Sequence, residues 1–182
     1  HFIFFSVCLN IGLELRHKTR HIPSAINTSL EAQFEVMTPI GLFMPRVAIC
    51  GVARTPIGKY RGNLSNYSAV ELGILAVKEL ISRCKIDVSS GIIDEVLFGQ
   101  VLQAGAGQAP ARQVALGAGL PVSTPATTIN KVCGSSLKAA MMAANSIKAG
   151  EYKAIIAGGM ESMTNAPKFE KRDGESKEMV ST

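Results

Sequence analysis

Cys133 is the residue of this chain best placed for covalent chemistry. It stands in INKVCGSSLKA, residues 129–139. A short β-prone run, Thr127, Thr128 and Ile129, precedes it. A helical pattern follows, with Leu137, Ala140, Met141, Ala144 and Ile147 on one face at spacings of three and four. A thiol on a strand-to-helix turn meets unpaired N–H groups and the positive end of the macrodipole, and both stabilise an anion. A thiol so placed has a lowered pKa, and the thiolate is the nucleophile. Gly134 lets a substrate carbonyl come close to the backbone with no Cβ in the way. Backbone N–H groups of the same turn can bind a developing oxyanion. These features suit covalent acyl transfer through an acyl-cysteine. The local pattern also suits a small buried apolar cysteine, and the turn alone leaves both readings open.

The elements that must hold Cys133 follow from periodicity. Gly150 stands where a helix C-cap glycine belongs. Ala154 to Ala157 reads as a buried strand ending in Gly158-Gly159, near the strand ends where ligands gather in α/β sheets; a plain turn is the other reading of that pair. Upstream, Val47 to Cys50 reads as a short buried strand. Ser68 and Glu71 form a capping box. It opens an amphipathic helix to about Arg83, with Val70, Ile74, Val77 and Ile81 on one stripe, widened by Leu72, Leu75 and Leu80. Asp94 and Glu95 read as solvated loop charges before the strand Val96 to Phe98, because adjacent residues do not face each other. Pro110 opens a short helix containing Arg112, Val114 and Leu116, ended by Gly117 or Gly119. Strands alternating with helices predict an α/β fold, a layered domain with a mainly parallel sheet covered by helices.

Several other chemistries are excluded. Gly58-Lys59 lacks the following Ser/Thr and the glycine spacing of a phosphate loop, and Gly105-Ala-Gly107 lacks the third glycine and downstream acid of a dinucleotide site. Cys8, Cys50, Cys84 and Cys133 form no close pair, so they predict reduced thiols in an intracellular protein and no metal site. The net charge of +5 is scattered beyond residue 45, and the densest group, Lys168, Lys171, Arg172 and Lys177, is interleaved with Glu170, Asp173, Glu175 and Glu178. That is a solvated segment, not a nucleic-acid surface. Apolar content of 47% on 182 residues supports one domain with a sizeable core. Phe2 to Leu15 is too short to span a membrane.

Four stretches resemble the thiolase family, in its acetyl-CoA acetyltransferase group: VARTPIGKYRGNLS at 52–65, GQVLQAGAGQAPARQVALGAGLP at 99–121, INKVCGSSLKA at 129–139 and AGGMESMTNAP at 157–167. They occur in family order. The resemblance implies condensation of two acetyl-CoA to acetoacetyl-CoA and the reverse thiolysis, with Cys133 as the acyl-thioester nucleophile. It implies no prosthetic group and no metal, with a coenzyme A thioester as substrate, and a homodimer or homotetramer when complete. It places the chain in the cytoplasm, with mitochondrion or peroxisome as alternatives. Ser136 stands where the family has glycine and Ala140 where it has a larger aliphatic. The family's later Gly-His-Pro, Cys-x-Gly and Asn-Glu-Ala-Phe motifs do not occur, and the histidines are His1, His17 and His21. The chain is therefore expected to be an N-terminal part, inactive alone.

The predicted organisation is a non-globular leader at 1–44, a partial thiolase N-terminal domain at 45–166 and the truncated start of a loop insertion at 167–182. Three other functions remain: a ketoacyl-synthase-like condensing enzyme, a non-catalytic fragment that binds partner subunits, and a cysteine hydrolase.

Overall fold

The computed structural model describes residues 46–170 and the strand segments Phe5–Asn10 and Ser176–Glu178. One five-stranded sheet organises them. Its strands are β1 (Phe5–Asn10), β2 (Val47–Ala53), β3 (Glu95–Gly99), β4 (Ala126–Ile129) and β5 (Ala154–Gly159), in the order β2-β1-β5-β3-β4. β3 runs parallel to both β4 and β5, and β1 runs antiparallel to both β2 and β5. Three helices cover the sheet: α1 (Ala69–Cys84), α2 (Pro110–Gly117) and α3 (Ser135–Lys148). The α/β expectation with a mainly parallel sheet holds.

The two-residue period of the strands builds a core on each face. Val96, Phe98, Ala154 and Ile156 pack with α1 and α2. Leu97, Ile155 and Ala157 pack with Ala139, Ala143 and Ile147 of α3. β5 is buried along its whole length, which is why it reads as an unbroken apolar run rather than an alternation. Burying one such Leu, Ile or Phe stabilises the fold by roughly 1.5–3 kcal/mol.

The helix ends follow from local chemistry. The Ser68 Oγ accepts the Glu71 N–H at 3.2 Å, and the Glu71 carboxylate accepts the Ser68 N–H at 2.8 Å, which is the predicted capping box. Pro110 opens α2. After α3, the Gly150 N–H donates to Ile147 O and the Glu151 N–H to Ser146 O, with Gly150 at φ +79°; this paired closure needs a left-handed residue, hence glycine.

Several expectations are corrected. The stripe of α1 centres on Leu72, Ala76 and Leu80, with Val70, Ile74 and Ile81 at its margin and Leu75 exposed. On α3 the buried line is Ser135, Ala139, Ala143 and Ile147, leaving Leu137 and Met141 exposed; small residues face the sheet because the helix lies close to it. Val47 to Cys50 is not buried: β2 is an edge strand, and Ile49 and Cys50 are exposed. Asp94 is no solvated loop charge, since its Oδ2 accepts the Lys153 and Ala154 N–H groups and fixes the entry to β5. Glu95 begins β3 and accepts the Thr127 hydroxyl. Phe5–Asn10, within the leader expected at 1–44, pairs as a strand with both β2 and β5. The rest of 1–44, including His17 and His21, lies outside the described residues. The expected loop at 167–182 includes an antiparallel pair, Lys168–Glu170 with Ser176–Glu178.

Candidate active site

The turn between β4 and α3 carries Cys133, and its geometry comes from a small set of side chains. Val132 adopts φ +46°. For a β-branched residue this conformation costs on the order of 1–3 kcal/mol and persists only where neighbours enforce it. The enforcement is local. The Asn130 Oδ1 accepts the Val132 N–H at 3.0 Å. The hydroxyl of buried Ser135 accepts the Lys131 N–H at 2.8 Å and donates to Val132 O. The Gly134 and Ser135 N–H groups donate to Lys131 O and Val132 O. The result is a tight elbow that leaves Cys133 exposed, with Gly134 as the N-cap of α3.

The elbow is pressed onto the carboxyl ends of the parallel strands. Gly99 pairs with Ile129 on one side and Gly159 on the other, which brings the ends of β3, β4 and β5 to one level. A Cβ on Gly99 would lie 2.6 Å from the backbone of Ser135 and Ser136, and one on Gly159 would overlap the Ser136 Oγ. Both glycines are there because α3 starts within van der Waals reach of two strand backbones. Cys133 therefore sits at the strand end of the sheet where open α/β folds place ligands.

A carboxylate that sequence reasoning missed ties the surrounding loops together. Glu161, just beyond β5, accepts the Val101 N–H at 2.9 Å and the Leu102 N–H at 3.2 Å. Burial pushes its carboxyl above the ordinary 4.5, and the two backbone hydrogen bonds pull against that shift. The Asn130 Nδ2 donates to Val101 O, so the elbow, the loop after β3 and the segment after β5 form one connected shell. The available signal was the glutamate beside the Gly158-Gly159 strand end. Asn165 extends the shell by donating to Ser65 O and Tyr67 O, and Ser162 donates to Tyr67 O. Arg112 donates to the carbonyls of Val122 and Thr124, and Gln113 holds Ala106 O and Gln108 O around Gly107; that glycine loop is a braced turn.

A shallow cleft lined by Thr55, Lys59, Leu64, Glu161, Ser162 and Thr164 lies beside this shell. Cys133 is not among its lining residues. Elbow geometry, not a cavity, marks the candidate site. Of the other cysteines, Cys84 is half-buried and its thiol is pushed up by burial, with Arg83 pulling it down.

Comparison with known proteins follows this layout. The family described as thiolase, N-terminal domain, matches residues 47–181. The chain belongs to the thiolase family. It is 53% identical to an acetyl-CoA acetyltransferase of Yarrowia lipolytica over 134 residues, 72% of this chain and 33% of the relative. It is 53% identical to acetyl-CoA acetyltransferase 2 of Arabidopsis thaliana over 123 residues, 68% of this chain and 30% of the relative. A thiolase from Ascaris suum, solved in complex with coenzyme A, superposes with a TM-score of 0.62 at 44% identity, over 66% of this chain and 31% of that one. The chain thus spans about a third of the length of these relatives. Forms named cytosolic and forms named mitochondrial occur among its relatives. Among the described residues, no helix is long and apolar enough to cross a membrane.

Proposed function

We propose that this chain supplies the nucleophile-bearing part of an acetyl-CoA acetyltransferase and that Cys133 is the nucleophile. The observation that carries the reading is the strained elbow, which holds exposed Cys133 before the first turn of α3 at the carboxyl ends of the parallel strands. The Cys133 thiolate attacks the carbonyl carbon of acetyl-CoA. The Cys133 N–H donates to the oxyanion as it forms. The carbon–sulfur bond to coenzyme A then breaks, the coenzyme leaves as a thiolate and takes up a proton, and the acetyl group stays on Sγ. A second acetyl-CoA, deprotonated at its methyl group, attacks the acyl-cysteine to give acetoacetyl-CoA and restore the thiolate; thiolysis is the reverse.

The base that activates Cys133, the base for the second substrate and a second oxyanion donor are assigned to the two thirds of the relatives that this chain does not span. The histidines at 1, 17 and 21 all precede the matched region. The 182-residue chain alone is accordingly inactive, and the complete enzyme is a homodimer or homotetramer. It uses coenzyme A thioesters with no prosthetic group, and it works in the cytoplasm.

The test is mass spectrometry of the complete protein after brief incubation with acetyl-CoA. One acetyl group is expected on the peptide containing Cys133, and none in Cys133→Ser, whose hydroxyl is a far weaker nucleophile without an adjacent base. Acetylation persisting elsewhere with turnover intact in Cys133→Ser would overturn the assignment.

A further inference from the structure

We propose that Asn130 is a positioning residue for acyl transfer: its side-chain amide holds Val132 in the left-handed conformation that seats Cys133, and it moors the elbow to the loop after β3. The inference rests on Cys133 being the nucleophile and concerns what keeps it in place. Val132 is the residue that needs holding. Its φ of +46° is one that a β-branched side chain disfavours. It precedes Cys133 directly in the chain, so relaxation there moves Cys133. Two side chains act on the elbow, and they act differently. Buried Ser135 closes it on itself, since its partners, the Lys131 N–H and the Val132 carbonyl, both belong to the elbow. Asn130 works in two directions. Its Oδ1 accepts the Val132 N–H at 3.0 Å, the bond of an Asx turn. Its Nδ2 donates to Val101 O at 3.3 Å, outside the elbow.

The mooring point is itself fixed. The Glu161 carboxylate accepts the Val101 N–H at 2.9 Å and the Leu102 N–H at 3.2 Å. The Val101 carbonyl also takes the Gln103 N–H at 3.1 Å. Buried Gln100 donates its backbone N–H to Ile129 O, on the residue before Asn130, and its side-chain Nε2 to Leu102 O. The loop after β3 therefore stands at a set height beside the end of β4, and Asn130 ties the elbow to that height. The residue type follows from the two tasks. The position needs an acceptor for the N–H two residues on and a donor for a carbonyl beyond the elbow, and a primary amide supplies both. Aspartate accepts only, and it would set a negative charge near the thiolate. Serine keeps the acceptor but not the reach. A misplacement of about 1 Å costs a catalysed reaction about 100-fold, so a restraint on Cys133 is visible in rate.

The test uses the complete protein and compares Asn130→Ala and Asn130→Ser in two backgrounds, the parent and Val132→Gly. Acetylation of Cys133 by acetyl-CoA is followed by rapid-quench mass spectrometry, with kcat, KM and melting temperature measured beside it. Asn130→Ala is expected to slow acetylation about tenfold or more, the fold-change that corresponds to relaxing one strained residue. KM for acetyl-CoA should change less than about threefold, because a positioning residue acts on the chemical step. Asn130→Ser keeps an acceptor for the Val132 N–H and should recover at least about threefold of the loss. In the Val132→Gly background the loss from Asn130→Ala should shrink below about threefold, because glycine takes a positive φ without a clamp. A side chain that only stabilised the fold would cost the same in both backgrounds. Should Asn130→Ala not fold, Asn130→Ala with Val132→Gly is expected to fold and to acetylate. Equal losses in the two backgrounds, Asn130→Ala acetylating at the parent rate, or a double variant that still does not fold would overturn the proposal. Cys133→Ser separates this from the reading beneath it. Acetylation that persists in Cys133→Ser removes the nucleophile assignment, whereas its loss there, with Asn130→Ala at the parent rate, removes only the role of Asn130.

Discussion

At the scale of single residues, exposure and burial order the thiols. Cys133 and Cys50 are both exposed, and Cys84 is half-buried with its thiol pushed up by desolvation. Cys50 lies in an edge strand, where it is exposed, and not on a strand-to-helix turn. In the complete protein, peptide mapping after limiting iodoacetamide should find Cys133 labelled first, Cys50 next and Cys84 last; labelling of Cys84 ahead of Cys133 would remove the basis for the nucleophile assignment. Cys133 was legible in the sequence because a strand-to-helix turn reads directly from periodicity. Glu161 was not, because its role depends on Val101 and Leu102, sixty residues away along the chain, and nothing local announces a partner that distant. Its raised carboxyl gives a pH signature. The folded state holds that proton more tightly than the unfolded chain, so the contribution is fully present below the ordinary 4.5 and is lost as pH rises through the higher folded value. Glu95 is raised in the same way, burial again being the main cause, whereas Glu71 and Asp87 are lowered by hydrogen bonds from their serine neighbours and act with the opposite sign. Glu161→Gln is therefore expected to flatten the fall in stability above pH about 4.5, measured by urea unfolding across a pH series. An unchanged slope would show that the burial of Glu161 has no thermodynamic weight.

At the scale of elements, the contact between α3 and the strand ends sets where Cys133 sits. Gly99 and Gly159 leave room for the first turn of α3, and Ser136 fills the space over Gly159. Gly159→Ala puts a methyl group against the Ser136 Oγ and the Gly99 carbonyl, and overpacking of this kind costs about 1–3 kcal/mol. Ser136→Gly removes the hydroxymethyl group over Gly159 and should return the missing space. The expected outcome is that Ser136→Gly alone is mild and that the double variant is less destabilised than the sum of the singles, read from a double-mutant cycle by chemical denaturation. Additivity would mean that the helix start moves freely and does not hold the elbow. The sequence showed these elements well: the capping box, Pro110, Gly150 and the apolar run of β5 each carry a local cause. It misread which face of α3 is inward and set the stripe of α1 off-centre, because alanines and a glycine make the closest contacts and carry little apolar weight in a periodicity. It also misread β2 as buried. An apolar strand shows the same pattern at an edge as at the centre, and only the pairing order decides which it is.

At the scale of the whole molecule, the apolar surface is unevenly finished. Around the elbow, Val132 is 66% exposed, Leu137 68% and Met141 53%. Leu137 and Met141 are four residues apart on α3 and so lie side by side. Elsewhere on α3 the small residues are packed against the sheet, so this outer stripe is a second apolar face on one helix. A helix apolar on two sides belongs between two layers, and here one layer is present. The missing cover is assigned to the remainder of the longer relatives, of which this chain spans about a third. Two consequences can be measured. The 182-residue chain should bind a hydrophobic dye and self-associate, and replacing both residues, Leu137→Lys with Met141→Lys, should reduce both effects. Stability of the isolated chain should then change by no more than about 0.5 kcal/mol for each surface position. In a chain carrying the remaining two thirds, the same pair of changes should cost about 3–6 kcal/mol, the burial of two such side chains, and should lower acetyl transfer along with folding. If the substitutions leave the longer protein as stable as its parent, the outer stripe of α3 faces solvent in the complete enzyme, and α3 is an outer layer rather than a central one.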